Sequence, residues 1–194
     1  MRTRSRKLCV VLLAGTVLGC GLGVYDDFAP LRLTDNFRVI ESGRAYRSAQ
    51  LDVDTLGMVV DALGIKTVIN LRGANPDEAW YQREKALLDN WQLDLVDVRW
   101  SATELPSREE LLKLYDAFFT VDEPILIHCQ AGADRTGAAS AIWRMMMLGD
   151  SREDAASELC VCYGHFEPLT GAMDELVRIF QPDRAWIEQQ YPGP

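Results

Sequence analysis

From Asn36 onward the apolar positions switch repeatedly between a spacing of two and a spacing near 3.6, the two periods that separate strands from helices. Residues 37–40 and 44–47 predict two short strands turned around Ser42-Gly43. Asp52 or Asp54 then caps a helix running to Leu63, with Gly64 as its stop. Residues 65–71 (IKTVINL) form a β-branched, apolar run of the kind buried in a central sheet. Residues 76–91 predict an amphipathic helix opened by Pro-Asp-Glu, 93–100 an alternating strand, and 106–119 another helix. Residues 125–129 (ILIHC) are the next buried strand, and 136–148 a helix of small and apolar residues ended by Gly149. Ser151-Arg-Glu-Asp154 matches a capping box with Asp in place of Glu and opens a helix to about Tyr163; two more follow near 171–180 and 182–190.

Strands alternating with helices predict an α/β fold, with a central sheet of about four to five mostly parallel strands flanked by helices and a helical C-terminal part. Sites in such sheets form where strands end and helices begin. A chain of 194 residues, 48% hydrophobic and 25% charged, is sized for one globular domain, placed at residues 25–194.

The first 24 residues stand apart. A basic MRTRSRK precedes 17 apolar residues, 8–24, and the acidic pair Asp26-Asp27 follows. That pattern is an export or anchor signal. The run is slightly short for a full span of about 20 residues, so a cleaved signal peptide and a short signal anchor both stay open. Val17-Leu-Gly-Cys20 also resembles a lipobox, which adds lipidation at Cys20 as a third fate. In each case the domain is expected outside the cytoplasm, periplasmic or otherwise extracytoplasmic, with the membrane met through the leader. The net charge of -9 becomes -13 without the leader's Arg2, Arg4, Arg6 and Lys7, which argues against nucleic acid as a partner.

Beyond the leader lie Cys129, Cys160 and Cys162, an odd number that leaves a thiol free. Cys160 and Cys162 are too close for an easy disulfide within a helix and read as two small buried hydrophobes. With His128 and His165 as the sole histidines, no His-based metal site is expected, and neither is a cofactor. Trp80, Trp91, Trp143 and Trp186 recur at helical positions and read as core.

Chemistry concentrates at ILIHCQAGADRTGAAS, 125–140. Cys129 stands at a strand end, and Gln130, Ala131, Gly132, Ala133 and Asp134 lead into a helix beginning Arg135-Thr136-Gly137. Backbone N–H groups of a tight loop converge on a tetrahedral oxyanion, and the following helix adds its positive end. Gly132 permits the turn, while Ala131 and Ala133 leave room for phosphate. The same field favours the thiolate of Cys129. Arg135 chelates two phosphate oxygens, Thr136 donates to the sulfur as it leaves, and His128 braces the loop from beneath. Attack by Cys129 on phosphorus then gives a phosphocysteine for water to hydrolyse.

His128-Cys129-x5-Arg135-Thr136-Gly137 resembles the signature of the cysteine-based protein tyrosine and dual-specificity phosphatases. GRAYRSAQL (43–51), LGIKTVINLRG (63–73) and YGHF (163–166) look like the bacterial branch of dual-specificity-like phosphatases. The resemblance, which spans 37–180 in patches, implies a phosphorylated protein substrate. Arg47 and Ser48, which match the family, would buttress the site. Ala131-Gly-Ala-Asp-Arg-Thr-Gly137 also resembles secreted bacterial phosphatases acting on phosphotyrosine and phosphoinositides, and Asp-Arg-Thr recurs in lipid phosphatases such as the myotubularins, which implies phosphoinositides or inositol phosphates as the alternative. The family normally supplies an Asp, from a loop before the signature, to protonate the leaving group. Here that loop holds Glu104 instead; Asp134 is an equal candidate, and Asp97 sits inside a predicted strand, where an outward-facing role is expected. Arg72 ends a strand on the site's side, with a helix-facing ion pair as its expected role, and a second phosphate or the loop carboxylates as its other partners. His165 is expected to pack between helices. Two rivals are a phosphate-binding module without turnover and a sulfur- or arsenate-transfer loop.

Overall fold

The computed structural model describes residues 28–194, and the leader, with the export, anchoring and lipidation readings attached to it, lies outside these described residues. Five strands form one sheet in the order β1-β2-β5-β3-β4: β1 (Arg38–Glu41), β2 (Ala45–Ser48), β3 (Thr67–Asn70), β4 (Asp94–Asp97) and β5 (Ile125–His128). β1 and β2 are the antiparallel hairpin; every other pairing is parallel. The register sets Ser48 and Asn70 beside His128, and Asp97 beside Asn70. Four strands therefore end along one line, the edge where sheets of this kind place their sites.

Eight α-helices complete the described chain: α1 (Ala29–Thr34), α2 (Val53–Leu63), α3 (Ala79–Trp91), α4 (Arg108–Thr120), α5 (Asp134–Trp143), α6 (Arg152–Ala155), α7 (Glu167–Ile179) and α8 (Arg184–Gln189). Side chains alternate across a strand, so neighbouring strand residues feed opposite layers. Tyr46, Val68 and Leu126 enter a core with Leu56 and Val59 of α2 and Leu88 of α3; Ala45, Ile69 and Ile127 enter one built with α4, α5, α7 and α8. Among the described residues no helix is long and apolar enough to cross a membrane.

Local signals hold where the sequence is explicit. Asp52 caps α2 by accepting from Asp54 and Thr55 N–H groups, and Gly64 ends it in the left-handed region, φ 65°. Elsewhere long-range contacts reset the chain. α3 starts at Ala79 rather than Pro76, because Glu78 N–H closes a turn onto the Asn75 carbonyl. α5 continues beyond Trp143 as one π-helical stretch, Arg144–Leu148. The capping box forms, with Ser151 accepting from Asp154 N–H, yet its helix stops at Ala155 and gives way to 3₁₀ turns at Ala156–Glu158 and Val161–Tyr163. The Glu158 carbonyl accepts from Arg47, 111 residues away, and would lie only 2.7 Å from a Cβ at Gly137. A continuous helix cannot make that approach.

Cys160 and Cys162 lie on these turns, half-buried and exposed, and are joined as a disulfide; the expected pair of buried helical hydrophobes is not found. α7 begins at Glu167, earlier than the predicted 171, with non-helical backbone at Thr170. Trp143 and Trp186 are core, but Trp80 is half-buried and Trp91 exposed.

Candidate active site

β5 delivers Cys129 to the sheet edge as a free, buried thiol. The loop after it is held from outside at three successive carbonyls. Gln50 N–H donates to the Gln130 carbonyl (3.1 Å), Asn36 Nδ2 to that of Ala131 (2.7 Å), and Arg47 Nη2 to that of Gly132 (2.6 Å). In a planar trans peptide the N–H points opposite the C=O, so the N–H groups of Ala131, Gly132 and Ala133 turn to the concave side. Gly132 sits at φ 69°, and a Cβ there would meet Ala49 N at 2.6 Å and the Ser48 carbonyl carbon at 2.7 Å. The loop thus lies directly on the end of β2, an approach open only to glycine.

Arg47 is fully buried and carries this support, pairing with Glu158 Oε2 (2.6 Å) and lying over the Tyr163 ring (4.7 Å). Arg47 thus supports the loop directly, while the Ser48 hydroxyl donates to the neighbouring Ala49 carbonyl (2.7 Å). α5 starts at Asp134, so its positive end faces the same concavity.

Arg135 and Thr136 occupy the first turn of α5. Arg135 Nη1 leans on the carbonyls of Trp100 (3.3 Å) and Leu71 (3.5 Å), while its buried Nε has no partner among the described residues. The buried Thr136 hydroxyl has none either. Buried donors are ordinarily satisfied, so two together beside a buried thiol fit an acceptor that arrives from outside.

His128 lies at the base of the loop against a partner the sequence did not reveal. Its Nε2 lies 2.8 Å from Oε1 of Glu84 on α3, with both side chains buried. The ring N–H is not well aligned with that oxygen, so the contact is chiefly coulombic. Burial opposes ionisation of Glu84, but the charge of His128, a bond from Gln50 Nε2 (2.9 Å) and the charge of Arg72 outweigh it and hold the carboxyl below its usual range. One sequence signal was available: Tyr81, Glu84 and Leu88 share the buried stripe of α3, where a carboxylate needs a partner.

Asp134 is braced as well. Its Oδ1 accepts from Thr170 Oγ1 (2.7 Å) and meets His165 Nδ1 at 2.8 Å; His165 Nε2 in turn meets Asp174 at 2.8 Å. His165 does sit buried between helices, but as a polar link from the loop to α7. Asp97 is not outward-facing: it accepts from Asn70 Nδ2 (2.8 Å) and Tyr81 Oη (2.5 Å), and burial with that bond pushes the Tyr81 phenol up to about 12. Glu104 is exposed on the connection from β4 to α4, four residues beyond the Trp100 carbonyl that Arg135 contacts. Among the described residues Arg72 forms no ion pair; its guanidinium lies on the Trp80 ring (3.5 Å) and donates to Gln50 Oε1 (3.1 Å). No cluster of His, Cys, Asp and Glu among the described residues is arranged to hold a metal.

A thiol at a strand end, a loop of inward N–H groups and an arginine in the first turn of the next helix define a cysteine-dependent phosphatase. The chain belongs to the family described as DSP-PTPase phosphatase fused to NAD+ kinase, whose model matches residues 32–170. The fold is shared with TpbA of P. aeruginosa, at 20% identity over 81% of this chain and 93% of that one, TM-score 0.60. It is shared too with the catalytic core of the PP-IP phosphatase Siw14 from S. cerevisiae (21%, 77% and 88%, 0.61) and a putative phosphatase from Shewanella putrefaciens (15%, 73% and 85%, 0.58). No curated protein matches this chain. The chain is thus of the protein tyrosine and dual-specificity phosphatase type, and its substrates are phosphorylated.

Proposed function

We propose that this phosphatase hydrolyses phosphomonoesters through a phosphocysteine at Cys129, with Arg135 as phosphate clamp and Glu104 as acid. The observation that carries this reading is the buried free thiol beside two unpartnered buried donors, Arg135 Nε and Thr136 Oγ1. The Cys129 sulfur attacks phosphorus while the ester P–O bond breaks. The N–H groups of 131–133 and the Arg135 fork hold the remaining oxygens, and Glu104 gives its proton to the leaving oxygen. Water then attacks the phosphocysteine, Glu104 takes a proton back, and Thr136 donates to the departing sulfur. Asp134 goes to the loop's support, because Oδ1 is committed to His165 and Thr170.

Phosphotyrosine or dual-specificity protein substrates are the first reading; TpbA has been crystallised with phosphotyrosine. Phosphoinositides or inositol phosphates are the second, favoured by Arg72, a further guanidinium without a carboxylate partner. We also propose delivery outside the cytoplasm by the leader, with membrane contact confined to it. The test of the chemistry compares wild type with Cys129→Ser and Arg135→Lys under reducing conditions, on a phosphotyrosine peptide and a soluble phosphoinositide. Turnover lost in Cys129→Ser and reduced in Arg135→Lys is expected; equal rates in all three would leave a binding loop without catalysis.

A further inference from the structure

We infer that Arg72 and Arg135 form a paired-guanidinium site, so that the enzyme selects phosphomonoesters bearing a second phosphate beside the scissile one, as on vicinal positions of a polyol. This rests on the phosphocysteine reading for which P–O bond is cleaved, takes the inositol phosphate and phosphoinositide reading of the substrate over the phosphotyrosine one, and adds a subsite to it.

The two arginines approach the same place from different elements. Arg135 reaches from α5 to the Leu71 carbonyl (3.5 Å), and Arg72 is the next residue along that strand end. Arg72 is fixed in the backbone by its N–H on Asn70 Oδ1 (2.9 Å) and by the bridge to Arg99. Its guanidinium rests on Trp80 at 3.5 Å, a cation–π contact that holds the fork rigid. Gln50 orients it from the edge through Oε1, and the N–H of the same Gln50 holds the phosphate loop at Gln130. The second guanidinium is thereby tied to the loop that would bind the first phosphate.

The charge balance points the same way. The chain carries nine more acidic than basic residues, yet neither Arg72 nor Arg135 has a carboxylate within ion-pair distance among the described residues. Glu84, the nearest buried acid, is already matched by His128. Burial and the like charge of Arg135 both press the Arg72 pKa downward, so the pair stands in mutual repulsion. Among the described residues one side-chain N–H of Arg72 and the weak carbonyl contacts of Arg135 are spoken for, leaving donors of both forks for oxygens that carry negative charge. One phosphate satisfies Arg135; a second, a few bonds away, satisfies Arg72 and offsets the repulsion.

Binding is measured first by calorimetry on Cys129→Ser, which cannot turn over, with inorganic phosphate and pyrophosphate as probes. Pyrophosphate is expected to bind more tightly, and adding Arg72→Met is expected to shrink that preference about ten- to hundredfold, the worth of a charged hydrogen bond. Kinetics follow on the wild type, Arg72→Met and Arg72→Lys, with phenyl phosphate, a soluble vicinal inositol bisphosphate and a short-chain phosphoinositide bisphosphate. The ratio of kcat/KM on bisphosphate to that on phenyl phosphate is expected to fall by the same factor in Arg72→Met and to recover in part in Arg72→Lys, thermal midpoints confirming folded variants. A preference for the soluble or the lipid bisphosphate assigns the source of the second phosphate. Equal binding of phosphate and pyrophosphate, or an Arg72→Met loss of the same size on every substrate, overturns the second site. No turnover by the wild type, with the pyrophosphate preference intact, overturns the phosphocysteine reading and leaves the paired site standing.

Discussion

Two carboxylates are candidates for the acid, and their surroundings separate the roles proposed for them. Asp134 has one oxygen held by Thr170 and His165, so its removal should loosen the loop whatever the leaving group is. Glu104 is exposed, on the connection that starts beside Arg135, and has no such tie among the described residues. General acids contribute about 10²–10⁴ where the leaving group needs a proton, and little where it does not. Glu104→Gln is therefore expected to lower kcat on an alkyl phosphate by about 10²-fold or more and to spare p-nitrophenyl phosphate, while Asp134→Asn lowers both alike. Rates on the two esters decide this; leaving-group dependence in Asp134→Asn, and none in Glu104→Gln, would exchange the assignments. His165→Gln is expected to resemble Asp134→Asn, because it cuts the same loop from α7.

At the scale of elements, the loop is held by what stands behind it, and the Glu84–His128 pair joins α3 to β5 at its base. Glu84 titrates below its ordinary 4.5 in the folded protein, so its contribution is full above that value and is lost as pH falls through the folded pKa. Glu84→Ala, which strands a buried partner, is expected to cost about 3–5 kcal/mol near pH 7, with the gap from wild type narrowing as the pH falls below the ordinary 4.5 and through the folded pKa. Urea unfolding across that range checks it, and a gap independent of pH would assign the loss to packing alone. Gly132→Ala is expected to cost activity as well as stability, since its Cβ would meet backbone at 2.6 Å. The signature was legible in sequence because Cys129 to Gly137 are contiguous and each residue type has a local job; the caps at Asp52 and Gly64 were legible for the same reason. Glu84 was missed although its place on the apolar stripe was a signal. The turns after Ala155, the bonding of Asp97 and the stacking of Arg72 on Trp80 were beyond reach, because each is set by a residue distant in the chain or by the way α3 packs on the sheet.

For the molecule as a whole, both apolar layers and the loop supports described above are built from residues 28–194. A protein beginning at residue 28 is thus expected to unfold in one cooperative transition and to match the full chain in kcat/KM. That domain carries 16 basic against 27 acidic residues, a balance that repels anionic bilayers. The membrane contact proposed above is assigned to the leader, with its four basic residues before 17 apolar ones. Sedimentation with vesicles containing anionic lipid is expected to leave residues 28–194 in the supernatant at physiological salt. Residues 1–27 fused ahead of a reporter active only outside the cytoplasm are expected to give signal. Co-sedimentation of 28–194 would place a lipid-binding face on the domain itself, and a silent reporter would return the enzyme, and its Cys129 thiol, to the reducing interior.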